Sequence, residues 1–542
     1  MLANRLRDFW DQFAARVRGE PGLAGAWALV VAFGVFVLVR GKDVSWDVRN
    51  YHWYNPYALL TGRRGFDVAV AQHATYYNPM IDAPVYVGAE IMPAWLVGLL
   101  LGLVHGLNAI LLYLLASRAL DQRIAPATRS WIAFGLALAG MLGGMTLQLG
   151  GALSHDLTVS LFVLGALVVL MRVDEAKAGT QDDLMRIGAA GALGGIAVGL
   201  KLTMFPFALG LAAAVAVLSA AWRVRLLRLV ALGAGGLIGA VVFGGSWALV
   251  LWRETGNPIF PYFNDVFGSP LLLSASYRDV RFLPQGALEE LIYPFLFSWD
   301  GMRVADAPFR DVKIMLAYVL VPLAVILWSA KRAASERLFS SNAIRLLFVF
   351  AAVSYFVWIN IFGIYRYAVT LELMAPLLIA MAIDFVPIAA RYRGWATAAV
   401  LAISVVALGW GAAIGERPAW GARYVAVDLP PLTKPDETMV IMAGTEPSSY
   451  VIPSFPPQIP FLRIDSWLDS PQSHTRFGDR MRMRVAAHRG PLFGIFAGWE
   501  RDRALAAFSE YGLAIELAQC SAIKSNAGEP LIWCPLFRRA MA

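Results

Sequence analysis

The chain alternates long apolar runs with shorter polar segments. A helix that crosses a bilayer needs roughly 20 apolar residues, and about eleven runs approach that length. This pattern predicts an all-α polytopic membrane bundle. The predicted spans lie near residues 22–40, 89–118, 130–149, 156–172, 187–200, 203–221, 228–252, 313–330, 343–361, 367–387 and 395–414.

Basic residues fall in alternate gaps between these runs, beginning with the N-terminal arginines. Lys and Arg accumulate on the cytoplasmic side of membrane proteins, so the N-terminus is predicted inside and the C-terminus outside. The first run is too long for a cleaved signal and is interpreted as an uncleaved span. The segments predicted on the outer face are 41–88, 150–155, 253–312, 362–366 and the chain after 415.

After residue 415 the chain becomes richer in proline and charge. Thr438–Ala443 and Leu513–Leu517 are predicted strands, and Arg501–Tyr511 is a predicted amphipathic helix. These elements predict a transmembrane domain at 1–415 followed by a small extracytoplasmic α/β domain at 416–542. Its two cysteines could pair in a disulfide or remain free thiols.

Composition agrees with a membrane protein, because 58% of the residues are hydrophobic and only 15% are charged. A net charge of +8 raises nucleic acid as a partner. The basic residues lie at the ends of the apolar runs, where membrane topology explains them. No nucleic-acid partner is therefore expected, and the lipid bilayer is the expected partner.

Asp43 and Asp47 follow the first apolar run. If the helix continues, both carboxylates share one side of it. A carboxylate among apolar neighbours can have a raised pKa, which suits a general base, so both are catalytic candidates. The alternative is that one caps a helix or pairs with Lys42 or Arg49.

Polar and aromatic side chains continue through the same outer loop. Tyr51, His52 and Asn55 offer rings and hydrogen-bonding groups that suit a sugar, although an aromatic belt at the membrane interface is the alternative. Asn78 and Asp82 follow as further binding candidates. His73 with Asp82 lacks the tight spacing of a metal site, so no metal ligands are assigned.

Three later positions also carry charge near the predicted outer face. His155 and Asp156 lie in a short turn, where Asp156 is a third catalytic candidate, a helix cap being the alternative. Lys201 lies between two apolar runs and needs an anion, unless it reaches the surface. Arg366, followed by Tyr367, offers a guanidinium fork for phosphate. The long segment 253–312 is a candidate lid.

These motifs, in this order, resemble the GT-C superfamily of membrane glycosyltransferases, which includes protein O-mannosyltransferases and aminoarabinose transferases of lipid A. Those proteins have an acid after the first helix, matched by Asp47, and often a second outer-loop acid, matched by Asp156. A Gly-rich helix that ends in Lys is matched by Gly194-Gly195-Ile196-Ala197-Val198-Gly199-Leu200-Lys201. An Arg-Tyr pair that opens a late helix is matched by Arg366-Tyr367. The Asp-x-x-x-Asp spacing departs from the family's adjacent acids or Asp-x-Asp, and the Trp-Trp-Asp signature of oligosaccharyltransferases is absent from the tail.

The resemblance implies a polyprenyl-phosphate sugar donor and an acceptor hydroxyl on a glycan, lipid or protein. Transfer would occur on the outer face of a bacterial inner membrane, with inversion at the sugar, Asp47 as base, and Arg366 and Lys201 on the leaving phosphate. The sequence does not decide whether a divalent metal is a cofactor. The alternatives are a lipid-linked sugar flippase or transporter, a polysaccharide polymerase or ligase, and a non-enzymatic assembly subunit.

Overall fold

The computed structural model describes residues 19–334, 336–409 and 417–539. It is mostly helical, at 62%. The N-terminal arginines, the end of the last predicted span and the predicted boundary at 415/416 lie outside the described residues. The main helices are Pro21–Arg40, Tyr54–Leu60, Ala83–Ile91, Ala94–Ala119, Pro126–Met141, Gly144–Gln148, Asp156–Leu170, Gln181–Leu200, Phe205–Ala216, Trp222–Ala240, Ser246–Thr255, Asn264–Phe267, Ala287–Trp299, Lys313–Ser329, Ser341–Ile361, Val369–Ile383, Ala390–Leu408, Arg476–Ala487 and Arg501–Glu510.

Six helical segments among the described residues are long and apolar enough to cross a membrane. A helix is suited to this because it satisfies its own backbone hydrogen bonds in hydrocarbon. The expected count of about eleven is not confirmed, because several predicted runs form helices shorter than a full span. The six are Pro21–Arg40, Ala94–Ala119, Gln181–Leu200, Trp222–Thr255, Ser341–Ile361 and Tyr365–Ile383.

Glycines bring the helices Gln181–Leu200 and Trp222–Ala240 into close contact. A Cβ built on Gly195 would lie 1.9 Å from the carbonyl oxygen of Gly236. Small residues let helix backbones approach in this way inside membranes. The glycine-rich run before Lys201 therefore has a packing role, whatever else it does.

Replacing Gly195 with Ala is expected to lower the free energy of unfolding by about 1–3 kcal/mol, because the added methyl group overpacks the helix contact. Gly233→Ala is the matched control, since a Cβ there meets nothing within 4 Å. The control should be neutral or slightly stabilising through the higher helix propensity of Ala. Thermal unfolding in detergent measures both variants, and equal transitions would contradict this account of the packing.

The C-terminal region contains a seven-stranded sheet in the order β1-β6-β7-β4-β2-β3, with β5 also paired to β7. Strands β2, β3 and β4 are mutually parallel where they pair, and β7 runs antiparallel to its neighbours. The predicted strands near 438–443 and 513–517 and the predicted helix near 501–511 are confirmed. The strands are β1 Val427–Asp428, β2 Met439–Met442, β3 Phe461–Arg463, β4 Leu492–Ala497, β5 Leu513–Ile515, β6 Ser521–Ser525 and β7 Leu531–Arg538.

A disulfide joins Cys520 to Cys534. Cys520 immediately precedes β6, and Cys534 lies within β7. The bond therefore links the start of β6 to the neighbouring strand β7, which decides between the two alternatives that the sequence left open.

The segment 41–88, which the charge pattern predicts on the outer face and which we call the outer loop, is packed against this sheet. Val68 forms a parallel bridge with Leu462 of β3. Beside it, Arg63 is buried, pairs with Asp67 and donates to the carbonyl oxygens of Pro457 and Ile459. The loop and the sheet therefore hold one another in place through buried polar contacts.

The same loop also contacts the other predicted outer segments. Leu153 N–H donates to Asp43 at 2.9 Å, and the hydroxyls of Tyr77 and Tyr262 are hydrogen-bonded. Asp47 pairs with Arg366. The structure thus brings together, at one end of the helical bundle, the segments that the charge pattern assigned to one face.

Candidate functional site

An ion pair between Asp47 and Arg366 lies at the centre of the candidate site. The two residues are 319 positions apart in the chain. Asp47 immediately precedes the π-helical turn Val48–His52, and Arg366 lies in the short helix Tyr365–Ala368. Their side chains are 14% and 29% exposed, so the pair is partly open to solvent.

The acidity of Asp47 differs from the sequence expectation. Burial alone raises the pKa of this carboxyl, but the guanidinium of Arg366, followed by the nearby His52, holds the pKa below its usual range. The expected rise in pKa is therefore wrong, because the sequence alone does not show the cation beside the acid. The neighbouring cation thus favours the ionised form of Asp47.

A second ion pair joins Lys201 to Asp156. Lys201 follows the helix Gln181–Leu200, and its ammonium also donates to the carbonyl oxygen of Ser154 at 2.7 Å. The cation thus finds a carboxylate, one of the partners expected for it. Asp156 is the first residue of its helix, and His155, at the cap position, makes no side-chain cap hydrogen bond.

Tyr367 lies between the two ion pairs. Its ring centroid is 5.3 Å from the ammonium of Lys201 and 5.2 Å from the guanidinium carbon of Arg366. These distances permit cation–π attraction to both cations. We call Asp47, Asp156, Lys201, Arg366 and Tyr367 the charge cluster.

Two polar atoms in the charge cluster are buried and unpaired within the described part of the chain. They are Nε of Arg366 and Oδ2 of Asp156. Buried polar groups without partners are uncommon, and they recur at functional sites. The cluster therefore offers one donor and one acceptor beyond those used by the ion pairs.

Asp43 does not share a helix face with Asp47. The first helix ends at Arg40, Gly41 has φ 96°, and helical structure resumes only at Trp46. That expectation is wrong because the chain turns out of the helix at this glycine. The carboxylate of Asp43 accepts from the backbone of Ser45 at 3.0 Å and of Leu153 at 2.9 Å, so it fixes the turn 150–155 against the loop.

Asn55 and Asn78 direct their amide groups to backbone carbonyls. Asn55 donates to Ala74 at 2.8 Å. Asn78 donates to Gly199 and Phe243, at 2.9 and 2.8 Å, and so joins the outer loop to the glycine-packed helices. These contacts give both asparagines a structural role, and contact with a substrate stays a prediction.

His52, Asp82 and His155 form a buried group that we call the His–Asp–His group. Oδ1 of Asp82 lies 2.7 Å from Nδ1 of His52 and 3.0 Å from Nε2 of His155. The ring of Tyr51 covers that of His52 at a centroid distance of 4.0 Å. Burial alone raises the pKa of Asp82, but the neighbouring imidazoles bring it below its usual range.

Sequence reasoning missed this group because it paired Asp82 with His73. In the structure the ring of His73 lies 5.8 Å from that of Tyr77, and burial lowers the pKa of His73 to about 4. His52 lies 30 residues from Asp82, and His155 comes from another turn. Only the folded arrangement of the outer segments brings the three together.

A cavity of about 380 Å³ lies between the outer loop, the helix Trp222–Thr255 and the helix Arg476–Ala487. Asn55 is the one sequence-predicted site residue that lines it. Arg64, Arg480 and Arg484 give its wall a basic character. It is distinct from the charge cluster, none of whose members line it.

Comparison with protein-family models, curated proteins and solved structures finds no match to this chain. Its chemistry must therefore be argued from the site itself. An ionised carboxylate, two cations and a second carboxylate lie at the mouth of apolar helices. Such a set can bind a phosphate and receive a proton from a hydroxyl.

Proposed function

We propose that the chain is a membrane glycosyltransferase of the GT-C type. It transfers a sugar from a polyprenyl-phosphate carrier to an acceptor hydroxyl on a glycan, lipid or protein. The observation that carries this proposal is the pairing of Asp47 with Arg366, because it places a proton acceptor beside a phosphate-binding group. The site faces the outer side of a bacterial inner membrane in this proposal, where a lipid carrier can deliver the sugar.

The proposed reaction is a single displacement at the anomeric carbon of the sugar. The acceptor oxygen forms a bond to that carbon as its proton passes to a carboxylate oxygen of Asp47. The bond from the anomeric carbon to the phosphate oxygen breaks, and the phosphate leaves with the electron pair. Attack from the opposite side inverts the anomeric configuration.

The cations of the charge cluster support the leaving group in this scheme. Arg366 has an unpaired Nε, and Lys201 uses two of its three N–H groups within the described residues. Positive charge placed where negative charge develops stabilises the transition state more than the ground state. Asp156 holds Lys201 in position and is thus a positioning residue.

Membranes containing the chain should convert a radiolabelled polyprenyl-phosphate sugar into free polyprenyl phosphate and a labelled product that no longer partitions with the donor. Membranes lacking the chain are the control. Movement of unaltered donor across the bilayer would indicate a transporter instead. Growth of the label into a long repeating polymer would indicate a polymerase.

A further inference from the structure

We propose that the His–Asp–His group binds one divalent transition-metal ion of the zinc class. The ligand atoms of His52, Asp82 and His155 all lie within 4.8 Å of one another. Neighbouring ligands on an ion with bonds of about 2.1 Å are roughly 3.0–3.4 Å apart. The two carboxylate-to-imidazole separations of 2.7 and 3.0 Å reach that spacing through adjustments of a few tenths of an ångström, and the two imidazole nitrogens, within 4.8 Å of each other, move closer together as the ion binds.

The group is enclosed, and one nitrogen on each ring makes no hydrogen bond within the described residues. The three side chains are at most 4% exposed. Nε2 of His155 points at Asp82 without hydrogen-bond geometry, and Nε2 of His52 also makes no hydrogen bond within the described residues. A hydrogen-bonded cluster built only for stability would pair these atoms, whereas a metal ion gives the Nε2 lone pair of His155 a partner.

The backbone of His155 is held in the conformation that presents this ring. Its φ is 60°, in the left-handed region that a non-glycine residue seldom adopts. The turn is fixed before this residue, where Asp43 binds the N–H of Leu153, and after it, where Lys201 pairs with Asp156. The strained residue is therefore supported by contacts from two separate elements.

A polar relay also lies behind the His155 ring. Its Nδ1 is 3.5 Å from the hydroxyl of Thr158, which is 3.1 Å from Nε2 of His105. Nδ1 of His105 accepts from the backbone of Gly151. Metal-binding imidazoles commonly direct their second nitrogen to a polar group of this kind, which orients the first toward the ion.

The ligand set selects the class of ion. Two imidazoles with one carboxylate suit zinc and related transition metals, whereas calcium and magnesium prefer oxygen ligands alone. Three protein ligands leave a coordination position for water or a substrate oxygen. His52 follows Asp47 by one turn, so the ion would add positive charge beside the charge cluster. That last role rests on the proposed function, but metal binding itself does not.

Metal uptake by the full-length protein tests the proposal without any sugar donor. Purified protein is stripped with a chelator, loaded with Zn²⁺ or Co²⁺, and its bound metal is measured after gel filtration. One ion per chain is expected. His155→Gln should weaken binding by at least about 10-fold, while His73→Gln and His488→Gln, outside the group, should retain it.

Two results would overturn the proposal. One is wild-type protein that takes up no stoichiometric metal, and the other is a folded His155→Gln variant that binds as the wild type does. If His155→Gln does not fold, His155→Cys decides the matter, since a ligating thiolate adds a sulfur-to-Co²⁺ charge-transfer band and a distant thiol does not. Sugar transfer is measured separately, so loss of either proposal leaves the other standing.

Discussion

Replacing Asp47 with Asn is expected to reduce sugar transfer by about 10²–10⁴-fold, the usual contribution of a positioned proton acceptor. The amide keeps the shape of the side chain and one oxygen that can accept from Arg366. It cannot take the proton of the acceptor hydroxyl. The fold should persist, because the amide keeps the side-chain volume and a hydrogen bond to Arg366, whose side chain is 29% exposed and keeps contact with water.

The rate of labelled product formation by purified variant and wild type measures this effect. Asp182→Asn is the control, since Asp182 also pairs with an arginine, Arg186, but its side chain is 51% exposed. Its transfer rate should equal that of the wild type. Transfer by the Asp47→Asn variant within a few-fold of wild type would remove Asp47 from the reaction.

The lowered pKa of Asp47 also limits how the rate of sugar transfer can depend on pH. An ordinary aspartate titrates near 3.9, so a carboxyl with a lower pKa is ionised at every pH above about 5. Protonation of Asp47 therefore cannot cause any fall in transfer rate between about pH 5 and 8. A wild-type rate that falls with acid in that interval must report another group, such as a histidine.

Replacing Arg366 with Lys is expected to lower transfer by about 10²–10³-fold, although the charge is kept. Arg366 donates to Asp47 through one nitrogen, and its Nε makes no hydrogen bond to any residue that the structure describes. A lysine ammonium is a single point of charge and cannot reproduce this planar fork. The substitution also leaves Asp47 with a cation nearby, which limits the loss of stability that a neutral residue would cause.

Arg391→Lys is a matched control for this variant. Arg391 precedes Tyr392, donates to its hydroxyl and lies over its ring, as Arg366 does with Tyr367, but it is exposed. The control should leave transfer unchanged. Wild-type turnover by Arg366→Lys would show that charge alone suffices at this position, and the proposed phosphate fork would then be wrong.

The sequence predicts much of the chemistry of the charge cluster, because a charged side chain between apolar membrane helices is costly unless it has a partner. Lys201 and Arg366 are isolated in apolar surroundings, so each must have a partner. The structure supplies Asp156 and Asp47 as those partners. The order of the apolar runs and the sidedness of the basic residues placed Asp47, Asp156 and Arg366 at one predicted face, whereas Lys201 was assigned only to the gap between two apolar runs.

Other features depend on geometry that local patterns do not contain. Gly41 ends the first helix and turns Asp43 toward the backbone of Leu153, although spacing alone placed it beside Asp47. The His–Asp–His group joins segments distant in the chain, so no spacing rule reveals it. Several apolar runs, among them Asp156–Leu170 and Lys313–Ser329, also form helices too short to count as full spans.

A density map of the protein with a bound polyprenyl-phosphate sugar tests the central claim most directly. We expect phosphate oxygens within hydrogen-bond distance of Arg366 and Lys201. The carboxylate of Asp47 should face the anomeric carbon from the side opposite the phosphate. A phosphate held elsewhere, for instance in the arginine-lined cavity beside Arg480, would contradict it.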